Sequence, residues 1–244
     1  MARIPDSLRA LLAHSIDYAG LYPPAALPLP AVLENYETCL ASAESWMLNR
    51  LVLPATKLAD VRLRDNWRVT LLVDGEPGAL PAHVETLESR VPHRLSLPTY
   101  CEASIDTIAA GAFAKVRTGG LTAEAIPSSE ALTDFICAAA ARRIAFKATA
   151  GLHHPIRSGT MHGFVNVFVA AAFAWRGSER AALVEILDEC DASAFQFLEG
   201  ELRWRGQSIS ASEIEAARRD FAHSFGSCSF AEPLADLREL GWLE

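Results

Sequence analysis

The chain has 244 residues, half of them hydrophobic, and a formal net charge of −8. That length suits one large core, since α/β barrels of this size fold as single units. The acidic surplus argues against the basic face that non-specific nucleic-acid binding requires. The opening Met1-Ala-Arg-Ile-Pro-Asp6 lacks the apolar region of a secretory signal, and the longest apolar run, Gly163 to Trp175, is about two-thirds of the roughly 20 residues that cross a bilayer. Cys39, Cys101, Cys137, Cys190 and Cys228 are odd in number, scattered and free of any CxxC, so neither a disulfide framework nor a cysteine zinc site is expected. Together these features predict a cytoplasmic protein with no nucleic-acid or membrane partner, no metal and no cofactor, and they leave room for a homo-oligomer.

In chain order, Ser7 to Ala13 reads as a short helix capped by Asp6 or Ser7. Ser15 to Pro24 begins as a strand and is stopped by two prolines. Val32, Leu33, Tyr36, Leu40 and Ala43 recur at helical spacing, predicting a helix over 30–48. Leu51 to Pro54 is a second strand, and Trp67 to Gly75 a third that ends in an Asp-Gly turn. Pro81 to Val91 reads as a helix. Arg94 to Glu102 reads as extended, with Pro98 able to divide it into two strands, and Ile105 to Ala110 as a short helix.

Beyond residue 110, Phe113 to Gly120 and Ile144 to Pro155 read as two strands that each carry a lysine and break into a glycine turn, with a helix between them. Met161 to Trp175 and Ala181 to Glu189 are predicted helices, 195–206 a β-hairpin turning at Glu199-Gly200, and Ser212 to Phe221 a helix opened by Ser212 and Glu215. Phe225 to Phe230 is a predicted loop and Pro233 to Leu240 a last helix. Strands alternating with helices predict a single-domain α/β fold, a (β/α)8 TIM-like barrel over 1–244 with an atypical C-terminal part containing the hairpin and helices. No GxGxxG follows the first strand, which removes the main reason to prefer a dinucleotide-binding sheet.

The chemistry concentrates at the lysines. There are three, Lys57, Lys115 and Lys147, against nineteen arginines, and two of them occupy matching places. Strand alternation puts Lys115 and Arg117 on one face of the first lysine strand, and Lys147 and Thr149 on one face of the second. The apolar alternates of the second strand belong under helices, which sends Lys147 and Thr149 into the barrel at its carboxyl end, where barrel enzymes carry their sites. Neighbouring ammonium groups in a desolvated mouth disfavour each other's charge, and a lysine made neutral near pH 7 can attack a carbonyl to form a Schiff base. The bland alternative is that each lysine is paired with a buried carboxylate such as Asp17, Asp74 or Glu102 and does nothing more.

Lys115-Val-Arg-Thr-Gly and Lys147-Ala-Thr-Ala-Gly resemble the two lysine strands of the deoxyribose-phosphate aldolase family, class I aldolases on a (β/α)8 barrel, which carry Lys-x-Ser-Thr-Gly and Lys-Ala-x-Gly-Gly on strands six and seven. Ser15-Ile-Asp-Tyr-Ala-Gly-Leu-Tyr-Pro23 is similar to that family's Ile-Asp-His-Thr-Leu-Leu-x-Pro opening. The resemblance implies a Schiff base on Lys115, a pKa-lowering role for Lys147, and catalytic carboxylates at Asp17 and Asp74. Arg117 stands where the family has serine, and Leu152-His-His154 replaces Ile-Arg, so a distant relative with a changed substrate is expected. The expected activity is aldolase-like cleavage or condensation of a small anionic aldehyde or keto compound. Arg117, Thr118, Gly119, Gly120, Thr149, Gly151, His153, His154 and Glu102 are the expected substrate-binding residues. The alternatives are a non-covalent enzyme whose Lys115, Arg117 and Lys147 clamp a phosphate or carboxylate, and a non-catalytic binding or scaffold protein.

Other groups carry weaker signals. His153, His154 and His162 suit acid–base work near neutrality but fit no standard zinc spacing. The glycine turns and Gly226-Ser-Cys-Ser229 could admit an anion, although serines in such loops more often cap helices. Cys228 has only His223 nearby in sequence. Asn166, inside a very apolar helix, must be hydrogen-bonded, either structurally or toward the site on the face it shares with His162.

Overall fold

The computed structural model describes residues 4–120 and 122–244. Eight parallel strands close into a barrel. They are β1 (Ile16–Tyr18), β2 (Leu48–Pro54), β3 (Val69–Leu72), β4 (Val84–Ser89), β5 (Thr99–Cys101), β6 (Phe113–Arg117), β7 (Phe146–Thr149) and β11 (Ala222–Ser227), the last pairing with both β7 and β1. A TIM-like barrel is therefore the fold. Between β7 and β11 the chain makes a long excursion. It contains helices α4 (Phe164–Arg176) and α5 (Arg180–Asp188), an antiparallel sheet of β8 (Phe195–Phe197), β9 (Glu201–Trp204) and β10 (Gln207–Ser210), and helix α6 (Ala211–Asp220). The remaining helices are α1 (Asp6–Leu12) before β1, α2 (Leu29–Leu40) between β1 and β2, α3 (Ser129–Ala141) between β6 and β7, and α7 (Ala231–Glu239) after β11.

The helical cover is uneven. Among the described residues, no α-helix lies between β2 and β6; 3-10 turns at Ala55–Asp60 and Ile105–Thr107 and irregular loops take its place. The outward residues of that sector, Val69, Leu71 and Leu87, are still buried, and partly buried leucines such as Leu58, Leu63 and Leu97 pack against the core. On the opposite side α4 lies between the barrel and the other helices. Phe164 stacks on Phe225 of β11 at 4.9 Å, while the far side of α4 meets α5 and α6. That enclosure explains why residues Phe164 to Phe173 are all buried and why the segment is apolar all round.

Four local expectations are corrected. Residues 84–89 form a strand, because ladders to both β3 and β5 override the helix-forming Leu and Glu of that stretch. Residues 94–102 supply one strand rather than two, so the lysine strands still come sixth and seventh around the barrel. The helix start expected at Ser212 lies at Ser210, whose hydroxyl accepts the Glu213 N–H while Glu213 returns a bond to the Ser210 N–H. Residues 222–227, of which 225–227 read as a loop, are the strand that closes the barrel. The hairpin at 195–206 is present and gains β10 as a third strand.

Asn166 is structural. Its Oδ1 accepts the Arg157 N–H at 2.9 Å, and its Nδ2 donates to the carbonyls of Ile186 and Glu189, both at 2.8 Å, joining α4 to the end of α5. Asn166→Ala leaves buried backbone groups unpaired and lowers stability by about 2–4 kcal/mol in urea denaturation, against about 1–3 kcal/mol for each unsatisfied group. No helix among the described residues is long and apolar enough to cross a membrane.

Candidate active site

The register of the sheet determines the site. In the parallel pairing of β6 with β7, Lys115 lies directly opposite Lys147, and Arg117 opposite Thr149. Neighbouring strands lie about 4.8 Å apart, so the two lysines enter the barrel side by side. Their ammonium groups meet through one carboxylate: Glu88 of β4 accepts Lys147 Nζ on Oε1 at 2.5 Å and Lys115 Nζ on Oε2 at 3.3 Å. Lys147 also donates to Asp17 Oδ2 of β1 at 2.5 Å, and Lys115 lies 2.8 Å from Glu102 Oε2. The result is one ionic chain across the barrel, running Asp17, Lys147, Glu88, Lys115, Glu102.

Lys147 is fully buried, whereas the Lys115 side chain retains 10% exposure. Burial alone would push the Lys147 amine down, but Asp17 and Glu88 outweigh it and hold the amine above the ordinary lysine value. Burial likewise works against the Asp17 carboxylate, and Lys147 and Arg50 outweigh it to keep the group below its usual range. Asp17 also accepts hydrogen bonds from Ser224 Oγ (2.7 Å), Asn49 Nδ2 (2.7 Å) and the Arg50 N–H (3.2 Å). At Glu102, burial is outweighed by the hydrogen bond and charge of Lys115 and by Arg117, so its carboxyl is also lowered.

Aromatic groups lie below this cluster. Tyr100, its phenol pushed up to about 12 by burial, has its ring 5.6 Å from Lys147 Nζ and its hydroxyl 2.8 Å from His223 Nδ1. Phe113 packs on both rings, at 5.3 and 5.2 Å between centroids. Burial and Arg218 lower His223 to about 4, so this imidazole is neutral at pH 7. It sits at the start of β11, with Cys228 just beyond the end of the strand. Five residues of extended chain, about 16 Å, separate the two, and they form no dyad.

Above the lysines a chamber of about 480 Å³ opens at the carboxyl ends of the strands. Of the residues predicted to bind substrate, Arg117, Thr118, Gly119, Gly120, Thr149, Gly151 and His153 line it, together with Lys115. Glu102 reaches it indirectly, by holding Lys115 and lying 3.6 Å from Arg117 Nη1. Thr118 is structural, its hydroxyl donating to the Ala150 carbonyl at 2.5 Å. This seals the β6 and β7 turns so closely that a Cβ on Gly119 would come within 2.9 Å of Gly151 Cα. Gly151 also has a φ of +79°, which favours glycine.

His153 and His154 face helix α7. His153 Nδ1 lies 3.2 Å from Glu232 and His154 Nδ1 2.6 Å from Asp236, so His154 ties the loop to the helix instead of lining the chamber. His162 is buried against the Pro127 carbonyl at 2.8 Å. The N-cap position of α7 is Phe230, not a serine, and Ser229 just before it accepts the Glu232 N–H on its Oγ at 3.1 Å. Asp74 is exposed at a bend after β3 and does not line the chamber. The carboxylate that bridges the two lysines is Glu88, hidden from sequence reasoning because 81–91 reads as a helix. Tyr22, Asn49 and Ser224 were also missed; a buried polar residue within a strand is the signal that marks Asn49 and Ser224. Among the described residues, no group of three or more His, Cys, Asp or Glu side chains could hold a metal ion.

Compared with known proteins, the chain matches no family model, and no curated protein or solved structure matches it either. The closed barrel and the geometry of its charges are therefore what the functional reading rests on.

Lys147→Met leaves Asp17 and Glu88 buried without their shared cation, and stability at pH 7 falls by about 3–5 kcal/mol. In the wild type the Asp17 contribution is present above the unfolded carboxylate value, near 3.9, and is lost as pH falls through the lowered folded value. The variant reverses the sign, because the buried Asp17, left without its cation, takes up a proton more readily than in the unfolded chain. Denaturant titrations from pH 7 to pH 5 should therefore show the gap between variant and wild type narrowing.

Proposed function

We propose that the protein is a Schiff-base-forming, aldolase-like lyase acting on a small anionic aldehyde or keto compound, with Lys115 as the nucleophile. The observation that carries this reading is the difference between the lysines: Lys115 lines the chamber, while Lys147 is sealed beneath it. Alternation alone favours Lys147 for the mouth; accessibility favours Lys115 for the bond.

The carboxylates supply the proton traffic. Lys115 must lose a proton before it attacks, and Glu88 and Glu102 are in hydrogen-bonding or ion-pairing contact to take it. The amine then bonds to the carbonyl carbon, the carbonyl electron pair moves to oxygen, and one N–H proton of the new ammonium passes to that oxygen. Loss of the resulting hydroxyl as water, with the proton first taken from Lys115 returned to it by the carboxyl group, leaves a protonated imine. The imine carries the same +1 charge as the ammonium it replaces, so the carboxylates that hold the resting lysine also stabilise the intermediate. A carboxylate then takes the proton of the hydroxyl on the β carbon, the bond between the α and β carbons breaks so that this fragment leaves as a carbonyl compound, and the electrons of the broken bond drain into the iminium to leave an enamine. Lys147 is the fixed cation that orients Glu88 beside Lys115. The proton-moving role that resemblance suggests for Asp74 belongs in this reading to Glu88, with Asp17 anchoring Lys147. Arg117 and the backbone of Gly119, Gly120 and Gly151 receive the substrate's anionic group at the carboxyl ends of β6 and β7, beside the loops after strands seven and eight where barrels commonly bind phosphate.

The pairing of Lys115 with two carboxylates favours a second reading, since it suits a permanent ammonium that clamps an anion beside Arg117 without a covalent bond. The open chamber weighs against a purely structural role for the ion pairs. Borohydride reduction in the presence of aldehydes and keto acids, followed by peptide mapping, separates the first two. The expected result is an adduct on Lys115 and none on Lys147. With the trapped compound as substrate, Lys115→Arg should lose at least about 1,000-fold in turnover if the amine is the nucleophile. Retention of a tenth of the activity, without any adduct, would establish the clamp.

A further inference from the structure

The chamber is divided by chemistry. On the β6–β7 side are Lys115, Arg117 and the glycine turns; on the β1–β3 side are Pro23, Val52 and Leu72. Met161 extends the apolar lining at the mouth and is 37% exposed, one of two exposed large hydrophobic side chains among the described residues. A substrate that was polar throughout would leave this wall unused.

The spacing of the cations narrows the class further. One carboxylate, Glu102, touches Lys115 with Oε2 at 2.8 Å and approaches Arg117 with Oε1 at 3.6 Å. The nucleophilic amine and the guanidinium are thus a single carboxylate apart. In a 2-keto acid the carboxylate is bonded directly to the carbon the amine attacks, which fits that separation. A phosphate on a sugar-like aldehyde lies several bonds further away. A third group, unlike these two, lacks a partner: Tyr22 lines the chamber within electrostatic reach of Glu88 and Lys147, and its hydroxyl oxygen is buried with no hydrogen bond among the described residues. Burial and Glu88 raise this phenol, so it stays protonated and able to donate.

We propose that the chamber binds a 2-keto acid bearing a branched or aromatic hydrocarbon group, with its carboxylate on Arg117, its hydrocarbon against Val52 and Leu72, and its keto oxygen accepting from the Tyr22 hydroxyl. This rests on Lys115 being the amine that meets the carbonyl carbon. A buried methylene strengthens binding about fourfold, so three additional carbons are worth on the order of 50-fold.

The test is borohydride trapping across a concentration series of pyruvate, 4-methyl-2-oxopentanoate, 3-methylbutanal and glyceraldehyde 3-phosphate. The branched keto acid should half-saturate on the order of 50-fold below pyruvate, and also below the branched aldehyde and the phosphorylated one. Leu72→Asn should shrink the ratio between branched acid and pyruvate to about fivefold or less, as the apolar wall is lost. Arg117→Gln should shrink the ratio between branched acid and branched aldehyde. Tyr22→Phe should raise the half-saturating concentration about fivefold or more while melting unchanged or higher, because it removes an unsatisfied group from the free protein. If pyruvate or glyceraldehyde 3-phosphate is trapped at lower concentration, the substrate class is wrong while the role of Lys115 stands. If nothing is trapped, the role of Lys115 fails, and saturation-transfer NMR with the same four compounds decides the rest. Preferential binding of the branched acid would then support the assigned class, and equal or absent binding would overturn it.

Discussion

A lysine with no solvent exposure, held between Asp17 and Glu88, is the constraint from which the interior of this barrel follows. Moving an ammonium out of water costs several kcal/mol, and only well-placed opposite charges and hydrogen bonds offset it. Lys147 therefore requires β1, β4 and β7 to meet in one register, with the donors of Asn49, Arg50 and Ser224 completing the shell of Asp17. Lys115 takes its place at the edge of the same network because Glu88 has a second oxygen to offer. The accessible amine is held in position by its inaccessible neighbour.

The distribution of polar and apolar residues around the mouth parallels the distribution of helices outside it. The strands that carry the lysines are joined by α3, and β11 is backed by α4. The sector from β2 to β6, without α-helices among the described residues, contributes the apolar wall through Val52 and Leu72 and one central carboxylate, Glu88. Helices thus back the strands that carry the lysines, and irregular loops surround the sector that contributes the apolar wall and Glu88.

What was legible in the sequence follows from the same physics. The two lysine strands announce themselves through alternation, because Ile144, Phe146 and Ala148 supply an apolar face and the lysines break it on the other. The barrel follows from the spacing of such strands. Two strands were not legible as strands, and both face the charges. β4 turns Glu88 inward, which destroys apolar alternation and leaves a Leu- and Glu-containing stretch that reads as helical. In β11 the positions beside Lys147 and Thr149 are Ser224 and Gly226, small and polar enough to fit there but poor advertisements for a strand. Local pattern fails where the chain accommodates buried charge. Asp74, by contrast, looked catalytic because it ends a clear strand, but position along a strand says little about which way the following bend turns.

The placement of β11 has a consequence for how the site comes into being. In the sheet it separates β1 from β7, so Asp17 and Lys147 face each other across a strand reached only after residues 150–221. Until that strand is inserted, the sheet has two open edges, the mouth has no circumference, and the most deeply buried cation of the finished protein lies on an exposed border. Closing the ring, drying the interior and pairing its charges are therefore one event, and the assembled charge network is a property of the complete circle and of no smaller portion of the fold.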